Sequence, residues 1–232
     1  MYPLKGTFDI ESSNIQTCGS GIFFGRVAGS LISISGNAVA DTLYGLDLEN
    51  IESSMLDVSN NTISNIISAN LIVFNPYYPG QAASTYAIHG NSFDVGRPDL
   101  PYADGIFLLD NDPSDNGSSL KVIDAAIVNN KVRAENCQYG LIHAIFTDGT
   151  LIAANDISGT SVPNFDYGPS SDPFGGIVIQ GASHCSILGN HVANLAVTPD
   201  PAGAAIFLGP GFEGQPTSAW LQDRASLATS RT

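Results

Sequence analysis

The densest set of groups able to do chemistry lies in the loop Asp110-Asn-Asp-Pro-Ser-Asp-Asn-Gly117. Asp110, Asp112 and Asp115, with Asn111 and Asn116, offer the hard oxygen ligands that suit Ca²⁺. Their spacing lacks the alternation of an EF-hand loop, so a solvated turn is the other reading. Carboxylates also serve acid–base work, where one group gives a proton while another takes one. If this loop turns back over the strand before it, Asp110 and Asp112 meet Asp148 and Gln180 of later segments. Asp110, Asp112 and Asp148 are then the candidate catalytic acids. The histidines are His89, His143, His184 and His191. His89 and His191 flank asparagines at turns, and His184 lies in a turn of its own; His143 alone stands on a strongly apolar strand. Lys131 and Arg133 are the only close basic pair. Cys18, Cys137 and Cys185 lack metal-ligand spacing, cannot all pair within one chain, and read as small buried hydrophobes.

The elements that must position these groups repeat. Gly176-Ile-Val-Ile179 is a short apolar strand; a turn and a second strand lead to Asn190, and a third strand begins at once. The same phrase runs from Gly21 to Asn37, Gly45 to Asn61, Gly105 to Asn130 and Gly140 to Asn155. Looser copies run from Leu71 to Asn91 and through Ala205-Ile-Phe-Leu208. The asparagines at 14, 37, 61, 91, 130, 155 and 190 are spaced 23, 24, 30, 39, 25 and 35 apart. A period of this length means a solenoid or an array. The larger gaps are insertions, rich in Pro, Gly and Asp, and they fall just before or after the first strand of a unit. Alternation along that strand points Ile22, Leu46, Leu71, Ile106, Ile177 and Ile206 inward, and Phe23, Asp47, Ile72, Phe107, Ile142, Val178 and Phe207 outward. The outward column holds one acid and no base, and so large an apolar strip usually marks contact with something.

The Gly-Ile-x-Leu strand, the Ile-x-Gly-Asn turn and the Asn-x-Val strand resemble those of the pectate-lyase-like right-handed parallel β-helix superfamily, over residues 8 to 210. The resemblance implies an all-β, single-stranded right-handed parallel β-helix of about seven rungs, each adding roughly 4.8 Å along the axis. It implies asparagines stacked in a ladder at a sharp turn, where left-handed φ suits Asn. Enzymes of that class bind polysaccharide in a groove over the first sheet, walled by the loops that flank it. Tyr77, Tyr78, Tyr102, Phe165 and Tyr167 of those loops, with Phe107, His143 and Gln180 on the sheet, are the expected substrate contacts. Lyases of the class pair a Lys or Arg base with calcium-binding acids, and glycosidases need two carboxylates.

Composition narrows the partners. The net charge is −14, with eight Lys and Arg in 232 residues, which excludes the clustered cations that phosphate backbones require. No apolar run approaches the roughly 18 residues of a membrane helix, and no signal peptide opens the chain. Seven residues before the first strand are too few for a capping element, so the chain reads as cut at that end. Residues 1–210 form the β-helix, and 211–232, with Trp220, Leu221 and Leu227 at helical spacing, form a tail or cap. Two functions stand. One is a non-catalytic, degenerate or truncated extracellular β-helix that binds carbohydrate or acts as a surface scaffold. The other is a polysaccharide lyase or glycoside hydrolase with its site over the first sheet. Self-association through open ends or the apolar strip is a third expectation.

Overall fold

The computed structural model describes residues 3–75, 83–96, 104–110, 123–137, 140–161, 174–193, 195 and 203–209. Every element among them is a strand. The strands fall into three parallel sheets of seven, one strand of each sheet per coil. The first sheet holds β3 (Ser20–Ala28), β6 (Tyr44–Glu52), β9 (Ala69–Phe74), β12 (Asp104–Leu109), β15 (Gly140–Ile145), β18 (Phe174–Gln180) and β21 (Gly203–Gly209). The second holds β1 (Thr7–Glu11), β4 (Leu31–Ser35), β7 (Met55–Ser59), β10 (Ser84–His89), β13 (Ile123–Val128), β16 (Leu151–Ala153) and β19 (Ser186–Leu188). The third holds β2 (Asn14–Gln16), β5 (Ala38–Ala40), β8 (Thr62–Ser64), β11 (Ser92–Val95), β14 (Lys131–Cys137), β17 (Asp156–Ser161) and β20 (His191–Ala193). The chain is a right-handed parallel β-helix of about seven rungs.

Stacking like on like builds the core. In the second sheet Ile10, Ile34, Val58, Ile88, Ile127, Ile152 and Ile187 stand in one register column. In the third sheet Ile15, Val39, Ile63, Phe93, Val132, Ile157 and Val192 do the same. The middle members of both columns are fully buried, and each such side chain contributes about 1.5–3 kcal/mol by leaving water. The pattern thins at the far end, where Ile206 and Leu208 of β21 keep inward register but are 45% and 68% exposed. The burial expected of the cysteines does not extend to Cys18, which is exposed; Cys185 is half-buried.

The asparagine ladder is continuous from Asn37 to Asn190. The backbone N–H of Asn37, Asn61, Asn91, Asn130 and Asn155 donates to the side-chain Oδ1 of the next asparagine along the axis, at 2.9 to 3.0 Å. Each side-chain Nδ2 donates to that same oxygen and to a carbonyl of the preceding rung, as Asn91 does to Val58 O at 2.8 Å. Two expectations are corrected. The first rung enters the ladder with the backbone N–H of Ser13, not with Asn14, which lies on β2 in register with Ala38. The left-handed residue is the one before each ladder position: Ser12 before Ser13, and Gly36, Asn60, Gly90, Asn129, Ala154 and Gly189 before the asparagines. The ladder asparagine keeps ordinary φ and spends its side chain on its neighbours. A shorter ladder of serines, invisible to the Asn period, runs along the corner before the second sheet. Ser30 N–H donates to Ser54 Oγ and Ser54 N–H to Ser84 Oγ, at 3.1 and 3.3 Å, all three buried.

The described strands also locate the insertions. The intervals 76–82 and 111–122 separate first-sheet strands from the second-sheet strands that follow them. The intervals 97–103, 162–173 and 196–202 fall before first-sheet strands.

Candidate functional site on the outer face of the first sheet

On the first sheet Ile22, Leu46, Leu71, Ile106, Ile142, Ile177 and Ile206 form the inward column. The next position outward is held by Phe23, Asp47, Ile72, Phe107, His143, Val178 and Phe207. The outward placement of Ile142 is therefore corrected. Gly140 pairs with Gly175, one residue earlier than sequence spacing implies, so Ile142 enters the core and His143 takes the outer place. Two residues further along, the second outward column reads Gly25, Glu49, Phe74, Leu109, Ile145, Gln180 and Gly209.

This face is not the open apolar strip that the sequence suggests. Ala69, Ile72, Phe74, Phe107, Leu109, Ile145 and Phe146 form a second buried cluster, with half-buried Tyr44 packed against it. His143 is buried beside them, its ring edge-on to Phe107 at 5.4 Å between centroids. Nε2–H of His143 donates to Gln180 Oε1 at 2.7 Å, which turns Nδ1 toward Asp104 Oδ1, 3.9 Å away. Phe107, His143 and Gln180, expected as substrate contacts, lie together on this sheet and are all buried. Asp104 completes the set and was missed, because it precedes the strand-opening glycine where period-two reasoning does not reach.

Of the acids expected from the 110 loop, Asp110 alone lies among the described residues. Asp110 is fully buried, and its Oδ2 accepts the N–H of Ile123, the first residue of β13, at 2.7 Å. Its charge helps, after burial, to push the Tyr86 hydroxyl far above its ordinary value. Asp110→Ala is expected to cost about 1–3 kcal/mol, the penalty of a buried amide left without its acceptor. Asp110→Asn, which keeps an acceptor, should lose much less, as read from urea midpoints. Asp148 lies away from that face, at the corner before β16. Its Oδ1 accepts from Ser183 Oγ at 2.9 Å and sits 2.7 Å from His184 Nδ1. Asp148 and His184, with Ala83, Ile123, Asp124 and Gly149, line an open depression of about 490 Å³. Tyr77, Tyr78, Tyr102, Asp112, Asp115, Phe165 and Tyr167 lie outside the described residues. Lys131 and Arg133 stand on the third sheet, with Lys131 in register with Asp156 and Asp156 with His191. Among the described residues no group of three or more His, Cys, Asp or Glu is disposed to hold a metal ion, and no helix is long and apolar enough to cross a membrane.

What the face does gather is a carboxyl pair. Asp47 and Glu49 stand two residues apart on β6 and share its outer side, a Cα separation of roughly 6.6 Å at the usual strand rise. The sequence shows both, separated by Leu48 of the core; Glu49 was missed because only the first outward column was read. The register sets Asp47 between Phe23 and Ile72, and Glu49 between Gly25 and Phe74. The pair therefore lies in a trough with apolar walls. A Cβ on Gly25 would fall 2.7 Å from Cζ of Phe23, so that ring lies across Gly25 along the rim beside both acids. Phe23 is 56% exposed, whereas Asp47 is only 6% exposed. Ser20 Oγ donates to Asp47 Oδ2 at 3.1 Å, and Oδ1, itself buried, accepts no hydrogen bond among the described residues. Burial pushes the Asp47 carboxyl up, and the Ser20 hydrogen bond offsets part of this. Burial also raises half-buried Glu49, and the charge of Asp47 raises it further. Of the two, Glu49 is the one with the added electrostatic cause of elevation.

The chain matches no protein-family model, no curated protein and no solved structure. The functional reading therefore rests on this geometry.

Proposed function

We propose that this β-helix is a glycan-active protein that hydrolyses a glycosidic bond over its first sheet, with Glu49 as general acid and Asp47 as general base. The reading is carried by one observation: two carboxyl groups share the outer side of β6 in an apolar trough that raises both. Pairs whose environments push them apart are how one site runs acid and base steps together. Glu49 gives its proton to the bridging oxygen as the C–O bond breaks. Asp47 takes a proton from the water that attacks the anomeric carbon. Ser20 holds Asp47 in place through its Oδ2. Glycan substrates of this kind are met outside cells, which is the compartment the reading implies.

A second reading, a surface scaffold without turnover, is favoured by the burial of the same face from Ile72 to Val178. Incubation with a panel of polysaccharides, with and without Ca²⁺, separates the two. Hydrolysis predicts new reducing ends, no unsaturated products and no calcium requirement. Unsaturated products would replace it with a lyase, and intact polysaccharide throughout would leave the scaffold.

A further inference from the structure

We propose that the segment 210–232 turns back over the far end of the β-helix and closes its core, with Trp220 seated against Ile206 and Leu208. The last rung comprises β19, β20 and β21. Ile206 and Leu208 of β21 stand in register with Ile177 and Ile179 of the rung before. That earlier pair is 0% and 6% exposed, whereas Ile206 and Leu208 are 45% and 68% exposed. Ile187, Val192 and Leu195 beside them are only partly buried. Among the described residues no strand pairs with β21 on its far side. The first rung is finished differently. Ile22 and Phe24, which hold the same two columns there, are 4% and 8% exposed. Phe8 packs edge-on against Phe24, at 5.8 Å between ring centroids. Leu4 bridges to Val27; its N–H donates to Arg26 O and its carbonyl accepts from Ala28 N–H, both at 3.0 Å. The near end is thus closed by its own chain, and the far end presents an open core.

A terminal rung needs a cover, because the stacked core otherwise meets water. Position favours the chain's own continuation. It leaves β21 at Gly209, at the open end itself, and goes on to Phe212, Trp220, Leu221 and Leu227. Trp220 stands eleven residues past Gly209, a reach of roughly 36–40 Å when extended. Packed sheets lie about 10 Å apart, so the tether crosses the end of the coil with length to spare. A short tether also holds its segment at an effective concentration on the order of millimolar. Charge agrees. Glu213 and Asp223 balance Arg224 and Arg231, so this segment is neutral, while the whole chain carries −14. A second copy would bring that entire charge with it, and like net charge keeps molecules apart. Its near end is also a poor continuation of the first sheet, since Leu4 already occupies part of the β3 edge.

Trp220 is the chain's single tryptophan, so its fluorescence reports this contact directly. In the full chain at low concentration, emission is expected to be blue-shifted from that of the same chain in urea, with acrylamide quenching several-fold weaker. Leu208→Asp puts a charge on the receiving surface at a side chain that the rungs themselves leave largely exposed. This variant should shift the emission to the red and restore the quenching. Met55→Asp is the control: Met55 is 62% exposed on β7, four strands before β19 in the second sheet. Its emission should match the parent's. Thermal melts establish that both variants fold, and light scattering over a dilution series separates the occupants. A blue shift that persists while the mass stays monomeric supports the intramolecular cover. One that appears only as the mass rises with concentration would overturn it in favour of a second copy. Native emission equal to that in urea would overturn it outright. Protected emission indifferent to Leu208→Asp would put the segment elsewhere on the molecule, which sinks the proposal equally.

Discussion

Asn91→Ala is expected to lower the stability of the chain by about 3–6 kcal/mol, the largest loss foreseen for any single side chain outside the core. Oδ1 of Asn91 accepts the backbone N–H of Asn61 at 2.9 Å and the Nδ2 of Asn61 at 3.0 Å. Its own Nδ2 donates to Val58 O and to Asn130 Oδ1 at 2.8 and 2.9 Å. Truncation at Cβ removes all four bonds but only one residue's polar groups. It leaves two donors of Asn61 and a carbonyl of Val58 buried without partners, each costing about 1–3 kcal/mol. Water cannot easily replace the amide, since Asn61, Asn91 and Asn130 are all buried at the centre of the ladder. Asn14→Ala supplies the contrast. Asn14 is exposed, and its one side-chain bond is accepted from Gln16 Nε2 at 3.2 Å; its loss should stay within about 0.5 kcal/mol. Urea midpoints of the two variants decide the matter. Equal shifts would mean that the ladder contributes little and that the rungs are held by apolar stacking alone.

That contrast also shows how far the sequence could be read. The repeat of Gly, apolar strand and Asn was legible because each rung must solve the same problem: bury one face of three strands and close a sharp corner. Three parallel sheets in chain order follow from it. Exact register was less legible, and for local reasons. Asn14 imitates a ladder asparagine but comes one residue late, after Ser13, which makes the connection with its backbone alone. Leu141 occupies the place that Gly105 and Gly176 hold in other rungs, so counting from Gly140 displaces His143 into the core on paper. The left-handed turn residue was assigned to Asn by propensity, whereas Gly, Asn or Ala just before it takes that strain.

The site was harder still, because the sequence shows which residues alternate but not which side is covered. Asp110 looks like one acid among several in a solvated loop. In the fold it is the last residue before that loop, turned inward to close a backbone amide of β13. Asp47 and Glu49 look like ordinary surface acids of one strand. Only the neighbours supplied by adjacent rungs, Phe23 on one side and Ile72 and Phe74 on the other, make their surroundings apolar. Burial of a carboxyl by residues 24 or more positions away leaves no local trace.

Asp47→Asn is expected to cut hydrolysis roughly 10²–10⁴-fold, the usual worth of a positioned acid or base, while making the protein more stable at neutral pH. The second effect follows from the direction of the shift. The folded carboxyl lies above its ordinary value of 3.8, because burial disfavours the charge. Well below that ordinary value both folded and unfolded chains carry the proton, and the group exacts nothing. As pH rises through the folded value, the native state must ionise a buried group that the unfolded chain ionises freely in water, so stability is lost and stays lost above it. An asparagine is isosteric and uncharged, keeps an acceptor for Ser20 Oγ, and escapes this loss. The variant should therefore match the parent in acid and exceed it at neutral pH. Glu49 reports the same coupling from the other side. With the Asp47 charge gone, one of its two causes of elevation disappears, and its carboxyl should titrate closer to its ordinary value by NMR while burial still holds it up. A variant that loses activity without gaining stability would mean that Asp47 is not a strained catalytic group but part of the packing. One that gains stability and keeps full activity would mean that the trough is apolar for a reason unconnected with cleavage. The hydrolytic assignment needs both effects together, since the desolvation that makes Asp47 costly to fold is what tunes the pair for proton transfer.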